Sequence, residues 1–288
     1  MKLTLMILLA CVLCSKAQAQ QDTLLAVFWN MENFYDRKSP SKPLVWTSAR
    51  FYAKCDAVSK TLFRISEQYG RIPDIVGLCE VETADVVHKL LYSTLLGKLN
   101  YGIVHYDSPD HRNMDCVLLY RQGSLHLRSS APKHIFDNKG NILATRDILL
   151  VQFDSLAVMV NHHPSKVGGG KSESRMLAME RMHHIADSLL SEGEKRVLSM
   201  GDFNDELWKQ EGPGRGSRGT IKYNGRWEKI DGYFAFGDID ISEYIFEDRM
   251  LLTEDRAYGG YRPRRCFTGP SYSGGISDHL PIVLLISF

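Results

Sequence analysis

Long apolar runs and one-faced helical stretches take turns along most of this chain. Thr23 to Trp29 is bulky and apolar at nearly every position, without the alternation of a strand that wets one face, which predicts a strand buried on both sides. Phe51, Cys55, Val58, Leu62 and Ile65 then recur at steps of four, three, four and three, one face of a helix capped by Thr47 or Ser48. Pro73 opens a second strand, Asp74 to Cys79, and Thr83 caps a helix through Leu96 that turns Val86, Val87, Leu90 and Leu91 inward. Further strands are predicted at Tyr101 to Tyr106 and Asp115 to Tyr120, around an exposed loop carrying Arg112. Asp147 to Phe153 and Leu156 to Val160 read as a hairpin turning at Asp154-Ser155. A helix from Ser172 to about Leu190 follows, then a short strand at Val197 to Met200, a stretch Thr220 to Trp227 leading into Lys229 to Phe234, and a closing strand from Leu280 to Ile286. Buried strands interleaved with one-faced helices call for a layered α/β domain.

The strand ends carry the chemistry. Asn30 follows Trp29, Glu80 follows Cys79, and Asn161-His162-His163 close the run before a Gly-rich turn, Gly168 to Gly170. Gly201-Asp202-Phe203-Asn204 ends the Val197 strand, Asp231 follows Ile230, and Asp278-His279 precede the closing strand. Each alone has a plain reading, because Asn, Asp and Gly are ordinary turn residues. A carboxylate on the end of a buried strand is harder to dismiss, since desolvating it requires a partner. Gly201 lets the backbone turn without a Cβ clash. Asp202 and Asn204, two apart on an extended chain, would then address one side. Oxygen ligands without thiolates suit a hard divalent cation such as Mg²⁺ or Mn²⁺. Such a cation beside histidines and arginines is what hydrolysis of a phosphate ester requires.

PDIVGLCEVE (Pro73 to Glu82), MGDFND (Met200 to Asp205) and GGISDHLP (Gly274 to Pro281), with NHHPSK (Asn161 to Lys166), GTIKYNGRWEKIDGYF (Gly219 to Phe234) and DCVLLYR (Asp115 to Arg121), stand here in one order. With them the chain resembles the endonuclease/exonuclease/phosphatase superfamily of metal-dependent phosphohydrolases, and several motifs look most like those of secreted bacterial members. The resemblance implies a four-layer α/β sandwich, two packed mixed β-sheets flanked by helices (DNase I-like). It implies Glu80 as principal metal ligand, assisted by Asn30 and Asp278. Asp202 would orient or deprotonate the attacking water, and Asn204 would hold the phosphate or the metal beside it. His279 would contact the scissile phosphate with Asp231 fixing its tautomer, and His162 would be the second phosphate-facing histidine. Which group is base and which acid stays open. Arg112, Lys166, Arg175 and Arg265 are candidate phosphate contacts, each with the alternative of a solvated loop charge. His163 reads as packing or substrate rim.

Composition narrows the surroundings. Lys2 and the apolar run Leu3 to Cys14, ending in Ala17-Gln18-Ala19, read as a signal peptide over 1–19. That leaves a single domain over 20–288, secreted or periplasmic, with lipoprotein anchoring at Cys11 as an alternative. No later segment is apolar enough to span a bilayer. Cys55, Cys79, Cys116 and Cys266 match no zinc spacing, and their pairing is open. Losing Lys2 and Lys16 with the first nineteen residues takes the formal charge from +1 to −1. The chain therefore lacks the global basic footprint of a dedicated nucleic-acid binder. Only Arg215, Arg218, Lys222, Arg226, Arg262, Arg264 and Arg265 gather near two late loops, as a phosphate-tracking patch or as local charge. A monomeric phosphodiesterase or nuclease is the leading expectation. A phosphatase or sphingomyelinase-like enzyme is the alternative, with Trp46 or Leu207-Trp208 as an apolar loop. A silent binding module on the same scaffold would require a missing site residue, and none is missing.

Overall fold

A computed structural model describes residues 23–36, 46–165, 172–207 and 218–288. The expected signal peptide with Cys11, the turn Gly168 to Gly170, and Lys166, Trp208 and Arg215 lie outside the described residues. Strands β1 (Thr23–Phe34), β2 (Ile75–Val81), β3 (Tyr101–His105), β4 (Asp115–Arg121), β12 (Asp240–Ile245) and β17 (Ile282–Ser287) form a mixed sheet in the order β12-β17-β1-β2-β4-β3. Strands β5 (Leu127–Lys133), β6 (Ile148–Phe153), β7 (Ala157–His162), β8 (Arg196–Asp202) and β11 (Asp231–Gly237) form a second, in the order β11-β8-β7-β6-β5. Helices α1 (Ser48–Tyr69) and α2 (Ala84–Tyr92) cover the outer face of the first sheet, and α3 (Ser172–Ser191) covers that of the second.

The continuous apolar runs follow from this layering. In β1, Leu25, Val27, Trp29 and Met31 pack toward α1 and α2, while Leu24, Ala26 and Phe28 pack toward Val158, Val160, Leu198 and Met200 of the other sheet. A strand with apolar neighbours on both faces has no reason to alternate. A third core joins Ile148, Leu150 and Met159 to Met182, Ile185 and Leu189 of α3. Three cores between four layers are the expected sandwich.

Local differences have local causes. β1 continues past Trp29 to Phe34, so Asn30 lies inside the strand, where its pairing with β2 breaks register. The helix begun at Thr83 stops at Tyr92, and a separate 3₁₀ turn spans Leu95–Lys98. β5 and β12 have no counterpart in the sequence pattern; both are sheet-edge strands with polar, partly exposed residues. Short hairpins β9 (Ile221–Tyr223) with β10 (Arg226–Glu228), β13 (Leu252–Glu254) with β14 (Tyr261–Pro263), and β15 (Phe267–Thr268) with β16 (Ser271–Tyr272) occupy the late loops. Cys55, Cys79, Cys116 and Cys266 are buried and free. Among the described residues, no helix is long and apolar enough to cross a membrane.

Candidate active site

Strand register sets half of the site. β7 and β8 run parallel with His162 opposite Asp202, and β8 and β11 run antiparallel with Asp202 opposite Asp231. Directly paired residues point to the same face, so His162, Asp202 and Asp231 form one row across three strands. Gly201 belongs to this construction for a reason other than turning. It lies within β8 opposite Asn161, and a Cβ there would sit 2.5 Å from the Asn161 carbonyl oxygen. Asn204 likewise does not reach the site by strand alternation. Its φ is +50°, its backbone N–H donates to Asp202 Oδ1 at 2.9 Å, and its side-chain amide donates to the His163 carbonyl.

The other half comes from the ends of β1 and β2, where the backbone is unusual. Glu32, Asn33 and Glu80 have φ of +43°, +55° and +58°. Non-glycine residues with positive φ are uncommon, and those outside Asn, Asp and His more so. The left-handed kinks are held by side chains. Glu32 N–H donates to Asn30 Oδ1 (2.9 Å) and Asn33 N–H to Glu80 Oε2 (2.8 Å). Asn30 Nδ2 donates to Asp202 Oδ2 at 3.0 Å, tying the two sheets together. The closing loop is anchored to β1 at two points and braced by one bond within itself. Ser277 Oγ donates to the Asn30 carbonyl, His279 N–H donates to Ser277 Oγ, and Trp29 Nε1 donates to the His279 carbonyl.

A pocket of about 750 Å³ results, lined by Asn30, Glu32, Glu80, His162, Asp202 and Asn204 on one side and by Asp278, His279 and the late hairpins on the other. His279 Nδ1 lies 2.7 Å from Asp231 Oδ2, with Nε2 4.0 Å from Asp202 and 3.8 Å from Asp278. Burial alone would lower the His279 pKa. Asp231, with the hydrogen bond it accepts, and the charges of Asp278 and Asp202 outweigh burial and hold it well above its ordinary value. His162 behaves oppositely. Burial, then the charges of Arg146 and Arg112, push it well below its ordinary value, and its Nε2 faces Glu80 at 3.7 Å. Burial and the charge of Asp231 lift the Asp202 carboxyl to about 7. Burial and Asp278 lift that of Glu32 to about 7.

The arginines are placed differently from one another. Arg112 lines the pocket. Arg265 lines it too, but Glu32 (2.6 Å) and Asp278 (3.1 Å) grip its guanidinium, so the expected phosphate contact is engaged by carboxylates. Arg175 reaches the Pro164 carbonyl at 3.5 Å and is not among the described lining residues. His163 is buried edge-on against Phe203, the packing alternative of its two expected roles. Three residues escaped the sequence pattern. Glu32 completes the acidic group. Buried Lys54 donates from α1 to the carbonyls of Met31 and Glu32, directly under the kink. Arg146 lies in the wall beside His162. A signal existed for Lys54, a charge on the apolar stripe between Phe51 and Val58.

The donor set fits a hard cation. Glu32, Glu80, Asp202 and Asp278 offer carboxylate oxygens, and no cysteine is among the described lining residues. The elevated carboxyls of Glu32 and Asp202 reflect burial first and then a neighbouring like charge, Asp278 and Asp231 respectively, and a divalent cation would offset both. Asp202, Asp231 and His279 also bring one ligand atom each within 4.8 Å of one another.

A family profile described as the endonuclease/exonuclease/phosphatase family matches residues 26–212, well over half of the chain. The match includes Asn30, Glu80, His162, Asp202 and Asn204, while Asp231, Asp278 and His279 join them through the fold. No curated protein sequence matches the chain significantly. Among solved structures, the endonuclease/exonuclease/phosphatase from Bacteroides vulgatus superposes with a TM-score of 0.59 at 15% identity, covering 93% of this chain and 100% of that one. D. rerio TDP2 complexed with a single-strand DNA product gives 0.54 at 15% identity, covering 93% and 100%. The Bacteroides thetaiotaomicron mannosyl-6-phosphatase gives 0.56 at 14% identity, covering 92% and 100%. At these identities the likeness shows the fold. Two mixed sheets in a DNase I-like sandwich, with this group of carboxylates, amides and histidines at one end, define a phosphoester hydrolase. The chain belongs to the endonuclease/exonuclease/phosphatase family.

Proposed function

We propose that the chain is a divalent-metal-dependent phosphohydrolase that cleaves a phosphoester by attack of water, with Mg²⁺ or Mn²⁺ as the cation. The observation carrying this is the opposed pair at the pocket floor: an imidazole held protonated, His279, 4.0 Å from a carboxylate that titrates near neutrality, Asp202. A cation held by Glu80, with Asp278 and Glu32 beside it, would offset charge on the phosphoryl oxygens and leaving group. Asp202, steadied by Asn30 Nδ2 and Asn204 N–H, would take the proton of the attacking water. His279 would donate to a phosphoryl oxygen, with Asp231 fixing which ring nitrogen faces the pocket. Asn30 acts here chiefly by orienting Asp202, since both ends of its amide are engaged within the site. The neutral form favoured at His162 makes it an acceptor or orienting group at rest.

The substrate reading narrows to a phosphate ester or diester small enough for the bowl. Most of the late basic residues have carboxylate partners: Lys222 with Asp255 (2.8 Å), Arg226 with Glu206 (2.9 Å), Arg218 with Glu247 (3.3 Å), and Arg265 as above. Charges neutralised in this way track a polyanion poorly. A nuclease remains the second reading, supported by the TDP2 relative solved with a single-strand DNA product. The test is hydrolysis of plasmid DNA, RNA, sphingomyelin, an inositol polyphosphate and bis-p-nitrophenyl phosphate, with and without EDTA and with Glu80→Gln as blank. EDTA-sensitive cleavage of small esters alone supports the first reading, plasmid nicking the second, and EDTA-resistant turnover sinks metal dependence. We further propose residues 1–19 as a leader and 20–288 as one domain, which N-terminal sequencing of the exported protein would check.

A further inference from the structure

We infer that Arg146, with Arg112 beside it, forms an anion subsite that takes a phosphate group of the substrate on the His162 side of the pocket. This rests on the reading of the pocket as a phosphoesterase site. Arg146 lies two residues before β6, and Arg112 lies on the loop between β3 and β4, where Asn113 has a φ of +51°. Between the two guanidiniums stands a single carboxylate, Asp110. It is 3.9 Å from Arg146 Nη1 and 3.6 Å from Arg112 Nε, too far in both cases for a hydrogen bond, and its Oδ2 has no hydrogen-bond partner. Two cations around one anion leave a net positive charge at the pocket wall.

Arg146 is unusual for a buried arginine. It is only 5% exposed, yet a single hydrogen bond, to the His163 carbonyl at 3.0 Å, is its well-formed contact, and its Nε has no partner. Buried charged groups are ordinarily paired and fully hydrogen-bonded, because desolvation is costly. A guanidinium lining a pocket with most of its donors unspent is a preformed fork for an oxyanion. The opposite wall differs. Lys222, Arg226 and Arg265 have carboxylates at 2.6–2.9 Å, and Arg262 alone has an unpartnered Nε there. Arg262 is only partly buried and has no second cation sharing one carboxylate with it, so the spare positive charge concentrates at Arg146.

The test is calorimetric titration of inorganic phosphate into the full chain in EDTA, where neither metal nor turnover contributes. The wild type should bind phosphate. Arg146→Met should weaken binding about tenfold or more, as loss of a charge-assisted fork implies. Arg112→Met should weaken it severalfold, and Arg262→Met should leave it within about twofold. Absence of phosphate binding to the wild type, a folded Arg146→Met protein with unchanged affinity, or a loss confined to Arg262→Met would each overturn the subsite. If Arg146→Met does not fold, Arg112→Met on its exposed loop decides, and unchanged affinity there overturns the proposal. A chain that hydrolyses nothing can still pass this test, and an active chain can fail it, so the two readings fall separately.

Discussion

Replacing Asp202 by asparagine separates the catalytic from the structural consequences of burying a carboxylate beside another. Burial and Asp231 move the Asp202 carboxyl from 3.8 to about 7. At about 1.36 kcal/mol per pH unit, holding it ionised at pH 8 costs the metal-free protein about 4 kcal/mol. The sign follows from the elevation. Because the folded-state value lies above the unfolded one, the contribution to stability is present below about pH 4 and is lost as pH rises through about 7. Asparagine does not titrate and escapes this loss. It keeps an oxygen for the Asn204 N–H, but its amide nitrogen would face Asn30 Nδ2 across the present 3.0 Å contact. That donor–donor meeting costs about 1–2 kcal/mol. In EDTA, Asp202→Asn should therefore be less stable than wild type at pH 4 and more stable by about 2–3 kcal/mol at pH 8. For a chain of this size that is a Tm rise of roughly 5 °C. Hydrolysis should collapse at both pH values. Differential scanning fluorimetry at the two pH values is the assay, and an unchanged sign of the Tm difference would refute the electrostatic argument.

His279→Ala should lower kcat by about 10²–10⁴ with a much smaller change in KM; a change confined to KM would demote it to substrate binding. Gly201→Ala should cost about 1–3 kcal/mol in urea unfolding, because its Cβ would press on the Asn161 carbonyl, and a neutral result would mean that β7 and β8 can separate there. Mg²⁺ should raise the wild-type Tm at pH 8 far more than that of Glu80→Gln, and equal shifts would place the cation elsewhere. Arg226→Ala should leave the salt dependence of turnover unchanged, since Glu206 already engages that guanidinium; a flattened slope would restore the nucleic-acid reading.

What the sequence made legible was whatever obeys a short period or a buried strand end. The run Thr23 to Trp29 and the stripe Phe51 to Ile65 announced themselves because each is held by a continuous apolar face. Glu80, Asp202 and His279 stood out as polar groups abutting such runs. The edge strands β5 and β12 did not, because a strand with one neighbour has exposed positions and a mixed composition. Asn204 was found for the wrong reason, as its place depends on a left-handed residue and not on strand alternation. Arg146 was invisible as a site residue because its partner, the His163 carbonyl, is known only from the fold; Lys54 showed as a charge on an apolar stripe, but not the carbonyls 22 and 23 positions away that it meets. Arg265 shows the converse: its charge was legible, but the carboxylate Glu32, 233 residues earlier, that engages it was not.

The central claim is that the carboxylates at this end of the sandwich hold a divalent cation used to hydrolyse a phosphoester. The most direct measurement pairs calorimetric Mg²⁺ binding with turnover of bis-p-nitrophenyl phosphate, for wild type and Glu80→Gln. The account predicts Mg²⁺ binding and EDTA-sensitive turnover in the wild type, and loss of both in the folded variant. Undiminished Mg²⁺ binding and turnover in Glu80→Gln would contradict it.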